Sequence, residues 1–216
     1  MKQGRLIAIG DIHGCLTALN RVLTAVDPQP SDTIVTLGDY VNRGPDSRGV
    51  IERLLELGQQ CKLVPLLGNH DETFMDVLTG RLPVEAILHM HGDSTLASYG
   101  YEGNLEVVPP KHVDFLAGCR LFYETGKHFF VHANYVPNQP LDQQSRLDLL
   151  WRSLRESEPT EHFSRKRAIL GHTPQANGTP LDRGHFICID TGCVYGGVLT
   201  ALDVVEGSRW QAGNEE

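Results

Sequence analysis

The sequence lacks most of what a secreted or membrane-embedded chain of its size relies on. Its five cysteines are odd in number and scattered, with no Cys-x-x-Cys pair. Neither a disulfide framework nor a thiolate zinc site is therefore encoded. Cys15, Cys61, Cys119, Cys188 and Cys193 read as free thiols, and Cys188 and Cys193 as small buried hydrophobes. No apolar run approaches the roughly 20 residues needed to cross a bilayer. The start, MKQGRLIAIGDIHG, has too few apolar residues before Asp11 for a secretory leader, so a cytoplasmic protein is expected. An excess of positive charge is also missing: 19 Lys and Arg stand against 27 Asp and Glu, for a net charge of −8. That argues against broad nucleic-acid binding, which needs a basic footprint. It leaves an anionic substrate open, because two bound divalent cations would add about four positive charges at one point.

What is present is an ordinary soluble composition, 40% hydrophobic and 21% charged. The 216 residues suffice for one sizeable core and read as one domain over 1–216. RLIAIG (5–10), TIVTLG (33–38) and KLVPLLG (62–68) read as short buried strands, the third with Pro65 marking an edge or bulge. CLTALNRVLTAV (15–26) and SRGVIERLLELG (47–58) between them read as amphipathic helices, the second with a Ser start and a Gly stop. DETFMDVLTG and PVEAILHMHG also look helical. After about Tyr101 the apolar stretches LFYET, HFFVHA, RAILGHT, FICIDT and VLTALDVVEG read as strands around one helix, DQQSRLDLLWRSL. The expected class is α/β, with two facing sheets and helices outside.

Polar residues gather where these strands stop. GDIHG (10–14), GDYVNRG (38–44) and GNHD (68–71) each follow an apolar strand with a glycine turn. Asp11, Asp39 and Asn69 thus stand roughly 30 residues apart, about one β-α unit. Ligands collect beyond the carboxyl ends of parallel strands, so Asp11, His13, Asp39, Asn69 and His70 should share one rim. His132 and His172 end two later strands in the same way. One such histidine would more often be structural, but five strand ends of this kind point to a metal site. Carboxylates, imidazoles and an amide oxygen suit manganese first, with iron or zinc as alternatives. Two ions about 3.5–4 Å apart can clamp a phosphoryl group and activate water, which predicts metal-assisted phosphate hydrolysis.

These motifs, in this order and spacing, resemble the metallophosphoesterase superfamily, and the RG after Asn42 resembles its phosphoprotein phosphatase family. VHA, LLWR, LGHTP and IDTGCVYGGVLTAL extend the likeness over nearly the whole chain. It is most similar to compact bacterial and phage lambda-type serine/threonine phosphatases. GDYVNRGP also resembles the symmetrical diadenosine tetraphosphate hydrolases. The resemblance implies an α-β-β-α sandwich and two divalent ions. It implies Asp11 and His13 on the first ion, Asp39 as bridge, and Asn69, His132 and His172 on the second. His70 would be the general acid in attack by a metal-bridging hydroxide, and Arg43 and Arg152 would grip the phosphate. The substrate is expected to be a phosphoprotein or small phosphate monoester, with a dinucleoside polyphosphate as the alternative. An inactive metal-binding interaction protein is the remaining reading. No membrane contact is expected, and a monomer is the default. Asp71 is expected to serve a helix dipole. His89, His91, His112, His128, His162 and His185 read as surface or structural, and HGDSTLASYG as a border of the cleft.

Asn42 stands where this family usually has Asp. Its oxygen is expected to accept the Nδ1–H of His70 without supplying the negative charge that favours imidazolium. That disfavours poor leaving groups such as a serine alkoxide. Asn42→Asp should extend the acid-dependent limb of the pH–rate profile upward by about 1–3 pH units. It should also help alkyl phosphates more than aryl phosphates. Equal gains on both classes in parallel pH profiles would refute the expectation.

Overall fold

A computed structural model describes residues 4–215. Residues 1–3 and 216, the ends of the span expected to form one domain, lie outside the described residues. The first half runs β1 (Leu6–Ile9), α1 (Leu16–Val26), β2 (Thr33–Thr36), α2 (Ser47–Gln60) and β3 (Lys62–Pro65). Four helices follow: α3 (Asn69–Leu78), α4 (Glu85–His89), α5 (Asp93–Tyr99) and α6 (Pro110–Ala117). The second half holds β4 (Phe122–Glu124), β5 (His128–Val131), α7 (Arg146–Leu150), β6 (Arg167–Leu170) and β7 (Leu181–Asp182). β8 (Phe186–Cys188), β9 (Leu199–Asp203) and β10 (Arg209–Ala212) close the chain.

Two five-stranded sheets form, in the orders β10-β9-β1-β2-β3 and β4-β5-β6-β8-β7. The expected neighbours β1, β2 and β3 do pair in parallel, and so do β5, β6 and β8. Pro65 lies on an edge strand, where its missing N–H costs the ladder nothing. The sheets face each other, and period-2 alternation sorts the side chains. In β1, Ile7 and Ile9 meet the outer helices while Ala8 faces the second sheet. In β5, Phe129 and Val131 point outward and Phe130 meets Ala8, Val35 and Leu202 in the intersheet layer. With both faces covered, the strands read as continuous apolar runs.

Helix α1 buries the stripe Ala18, Leu19, Val22, Leu23 and Val26, and ends where Asp27 turns left-handed at φ 47°. Helix α2 departs from expectation at both ends. Asp46 caps it by accepting from the Gly49 N–H at 2.7 Å, and the helix continues through Gly58 to Gln60. Ser47 is instead buried, with its hydroxyl turned to the loop before it. The helix expected over DQQSRLDLLWRSL shrinks to α7, because the Leu149 carbonyl is taken by the Ala133 N–H at 2.8 Å. Helices α5 and α6 and strands β7 and β10 carried no sequence signal that singled them out. Among the described residues no helix is long and apolar enough to cross a membrane.

At the ends of β1 and β2 opposite the glycine turns, Asp32 ties the two strands together. Its buried carboxylate accepts from the Arg5 N–H (2.9 Å), Arg5 Nε (3.1 Å), Arg5 Nη2 (2.6 Å) and Gln29 N–H (2.9 Å). Burial alone would raise its pKa, but these donors outweigh burial and hold it below the ordinary carboxylate value. A depressed folded pKa stabilises the fold above the unfolded value of about 3.9, and that stabilisation fades as pH falls through the folded value. Asp32→Asn should therefore cost about 1.5–3 kcal/mol near neutral pH. The gap to wild type should close progressively below about pH 4. Urea unfolding at several pH values measures it, and a gap independent of pH would count against the ion pair.

Candidate metal centre

The parallel strands of both sheets deliver their carboxyl ends to one rim. Asp11 and His13 follow β1, Asp39 follows β2, Asn69 and His70 open α3 after β3, His132 follows β5 and His172 follows β6. Asp11, His13, Asp39, Asn69, His70 and His132 are each less than 5% exposed. The rim is also where the backbone is strained. Of eight described non-glycine residues with positive φ, five are His13, Asp39, Asn42, Arg43 and His172. Strain of this kind collects at functional sites, which separates these turns from ordinary loops. Two glycines make room for the carboxylates. A Cβ at Gly68 would stand 2.1 Å from Asp39 Oδ1, and one at Gly171 would stand 2.2 Å from Asp11 Oδ1.

Backbone carbonyls set the histidine tautomers. His13 Nδ1 bonds the Val41 carbonyl at 2.9 Å, His132 Nδ1 the Leu37 carbonyl at 2.8 Å, and His172 Nε2 the Trp151 carbonyl at 3.0 Å. A carbonyl only accepts, so each ring carries a proton there and turns its other lone pair inward. His132 Nε2, His172 Nδ1 and Asn69 Oδ1 then lie 3.1–3.2 Å from one another. Asp39 Oδ1 is 3.6 Å from His132 Nε2, and Asp39 Oδ2 is 3.3 Å from His13 Nε2. Donor atoms about 2.0–2.2 Å from one ion sit roughly 3.0–3.5 Å apart. Converging acceptors at that spacing could hold a divalent cation. Asp39, with an oxygen toward each histidine group, fits a bridge: donor atoms of His13, Asp39 and His70, and those of Asp39, His132 and His172, each lie within 4.8 Å of one another.

The electrostatics agree. Burial pushes Asp11 well above its ordinary pKa, with Asp190 and Asp39 adding repulsion. Burial would raise Asp39 too, but His132, His70 and His13 outweigh it and hold it well below. Burial lowers His132, and burial with His132 lowers His172 to about 4. Burial would lower His13, but Asp39 raises it; clustered buried acids beside imidazoles mostly lowered by burial remain short of positive charge. One cation already answers it: Arg43 Nη1 stands 2.7 Å from His13 Nε2, on the lone pair expected to face an ion. Asp11 belongs to neither three-residue group, and both its oxygens take the His172 N–H, at 3.1 and 2.9 Å.

Asn42 departs from expectation. Its N–H bonds Thr95 Oγ1 at 2.7 Å, and Thr95 Oγ1 donates to Asn42 Oδ1 at 3.1 Å. With the oxygen engaged, the amide nitrogen faces His70 Nδ1 at 3.0 Å. Nδ1 therefore accepts rather than donates, and a neutral ring carries its proton on Nε2. Burial, joined by His13, Arg43 and His132, lowers His70 to about 3 against the pull of Asp39. No residue of HGDSTLASYG lines the cleft; the stretch instead backs the Asn42–Arg43 turn, through buried Thr95 and through the His91 carbonyl, which accepts from the Arg43 N–H at 2.8 Å. Asp71 does more than favour a dipole: its buried carboxylate collects the N–H groups of Asp39, Tyr40 and Gly68 at 2.7–2.9 Å.

Arg152 is not among the residues that line the cleft. Its guanidinium pairs with Asp148 at 2.5 Å, one turn back on α7. Arg155 lines the cleft instead, with Arg43, His70, His172 and Tyr195. Three site residues escaped sequence reasoning. Asp190, buried after β8 and raised to about 6 by burial, follows the same strand-end rule as Asp11 and Asp39. Tyr195 and Thr95 carried no comparable signal.

The calcineurin-like phosphoesterase family model matches residues 4–207. The symmetrical bis(5'-nucleosyl)-tetraphosphatase of Nitrosomonas europaea is 29% identical over 168 residues, 77% of this chain but only 58% of that protein. Serine/threonine-protein phosphatase 1 of Salmonella typhimurium is 29% identical over 206 residues, covering 89% of this chain and 88% of that protein. A crystal structure assigned provisionally as a diadenosine tetraphosphatase superposes with a TM-score of 0.73 at 25% identity, covering 98% of this chain and 94% of its own.

Asp39 is the one side chain common to both groups of donor atoms. Asp39→Asn should abolish uptake of both ions in a calorimetric manganese titration and lower phosphatase turnover at least about 100-fold. Circular dichroism should report an intact fold. Two ions bound with full activity would overturn the bridging role.

Proposed function

The chain belongs to the calcineurin-like phosphoesterase family, and from that footing we propose that it is a two-metal phosphohydrolase for a substrate whose leaving group departs without full protonation. A symmetrical dinucleoside polyphosphate is the best fit. The observation that carries this reading is the Asn42 amide nitrogen set 3.0 Å from His70 Nδ1.

Divalent ions held by Asp11, His13, Asp39, Asn69, His132 and His172 would supply charge neutralisation on the phosphoryl oxygens and an activated water. Manganese is the first candidate, with iron or zinc behind it. The remaining work falls to the protein. His70, neutral and fixed by Asn42, offers an Nε2–H to the leaving oxygen. Such a ring is a hydrogen-bond donor and a weak acid, so it serves a nucleoside diphosphate leaving group better than an alkoxide. Arg43 rests on His13 Nε2. Released from that nitrogen, its planar fork would be available to the non-bridging oxygens of the phosphate. Asp71 holds the N–H groups that set the Asp39 turn.

A second reading, a phosphoprotein phosphatase, is favoured by one observation: the likeness to the Salmonella serine/threonine phosphatase spans 88% of that protein's length. Five free cysteines suit a reducing, cytoplasmic setting. We take the monomer as the working form.

Turnover in Mn²⁺ on diadenosine tetraphosphate, p-nitrophenyl phosphate and phosphoserine, phosphothreonine and phosphotyrosine peptides tests these readings together. The expected order puts diadenosine tetraphosphate at least about tenfold above the phosphoserine and phosphothreonine peptides in kcat/KM, with two equivalents of ADP released. A phosphopeptide at the head of the order reverses the reading in favour of the second. No turnover on any of them would leave a metal-binding interaction protein.

A further inference from the structure

The cleft beside the metal centre is larger than a phosphoryl group requires. It encloses about 490 Å³, within the range that accommodates an organic ligand rather than a small ion. Its lining joins Asp39, Asn69, His70 and His172 to Arg155 and Tyr195, which stand on segments that the reaction itself does not use.

Tyr195 is 60% exposed although it is a large aromatic side chain. It stands at the end of a single 3₁₀ turn, Cys193–Tyr195, between Gly192 and Gly196, both left-handed at φ 69° and 83°. The base of that loop is fixed. Gly192 N–H donates to Asp190 Oδ1 at 3.0 Å, Thr191 Oγ1 donates to the Val198 carbonyl at 2.5 Å, and Cys193 is buried. A rigid stem thus holds an uncovered ring at the cleft, with the Arg43 guanidinium 5.4 Å from the ring centroid. Arg155 spends one N–H on the Pro174 carbonyl at 2.9 Å and makes no ion pair among the described residues. Arg152, three residues earlier, is paired with Asp148. In a chain of net charge −8, two arginines without carboxylate partners on one cleft are placed for a polyanion.

We propose that Tyr195 and Arg155 form a specificity subsite that holds the leaving nucleotide, with the Tyr195 ring stacked on a nucleobase and the Arg155 guanidinium paired with a phosphate beyond the scissile bond. This rests on the dinucleoside polyphosphate reading and names how that substrate is told from a monoester. A phosphotyrosine side chain could use the ring, but it brings one phosphate and leaves Arg155 without a partner. A nucleoside polyphosphate uses both. Base–aromatic stacking tolerates any base, so the subsite selects a nucleotide rather than adenine.

The test compares wild type with Tyr195→Ala, Tyr195→Phe and Arg155→Ala in Mn²⁺ on three substrates: diadenosine tetraphosphate, inorganic tripolyphosphate and p-nitrophenyl phosphate. Tyr195→Ala should raise KM for diadenosine tetraphosphate roughly tenfold or more, with a much smaller change on tripolyphosphate, which has no base. Tyr195→Phe should restore most of that loss, because the ring and not the hydroxyl makes the contact. Arg155→Ala should weaken diadenosine tetraphosphate and tripolyphosphate alike, and more than p-nitrophenyl phosphate. Wild type that cleaves diadenosine tetraphosphate while Tyr195→Ala loses no more on it than on p-nitrophenyl phosphate overturns the subsite and leaves the function reading standing. Wild type that ignores diadenosine tetraphosphate but hydrolyses p-nitrophenyl phosphate overturns the function reading, and the subsite falls with it. Both side chains are at the surface of the cleft, and unchanged melting temperatures verify that the variants are folded.

Discussion

One buried carboxylate holds the rim together. Asp71, on the first turn of α3, is fully buried and accepts the N–H groups of Asp39, Tyr40 and Gly68. Those donors belong to two turns, after β2 and after β3, so a single side chain fixes the approach of one to the other. Each N–H bonded to a buried carboxylate would otherwise lie unsatisfied in a dry interior, at a cost of about 1–3 kcal/mol. The left-handed conformations of Asp39, Asn42 and Arg43 persist on this anchored frame. Burial and the nearby Asp39 push Asp71 up to about 7, which is the electrostatic cost of placing an acid there.

The second constraint is charge. Asp11, Asp39 and Asp190 are buried close together, while burial lowers the pKa of His70, His132 and His172 and carbonyl partners on the outer nitrogens of His132 and His172 fix which nitrogen faces inward. Such a cluster is unstable as a purely organic interior and sensible as a cation site. The same economy explains Arg43 leaning on His13. A group that can neutralise the centre, and can be displaced from it, is well suited to meet an incoming phosphate. Elsewhere in the cleft, Tyr195 and Arg155 present the exposed chemistry that the centre lacks, which is the ground for the proposed subsite.

Much of this was legible in order. Apolar runs marked β1, β2, β3, β5 and β6, all but β5 ending beside a glycine, and the polar residues after each marked the rim. Asp190 obeys the same rule, standing in the turn DTG after the apolar run FICI. The failures share a cause. Ser47 looked like a helix cap because capping is read from neighbours in sequence, but its hydroxyl answers to Asn42 and Thr95. Arg152, expected on the phosphate, pairs in this structure with an acid one turn back, a contact that motif position does not reveal. Helices α5 and α6 are short and pack against surfaces that periodicity does not reveal.

The sequence alone determined which strand ends carry residue types able to hold a metal. Strand, turn and ligand type are written within a few residues of one another, and the backbone delivers them without reference to distant partners. Only the tertiary structure decided how those groups are presented. The face of the Asn42 amide is set by Thr95, 53 positions away, and the hold on Asp11 by an N–H 161 positions away. Hydrogen bonds between such residues depend on packing that no local window contains. The motif GDYVNRG therefore names its chemistry in sequence and acquires its direction only in the folded cleft.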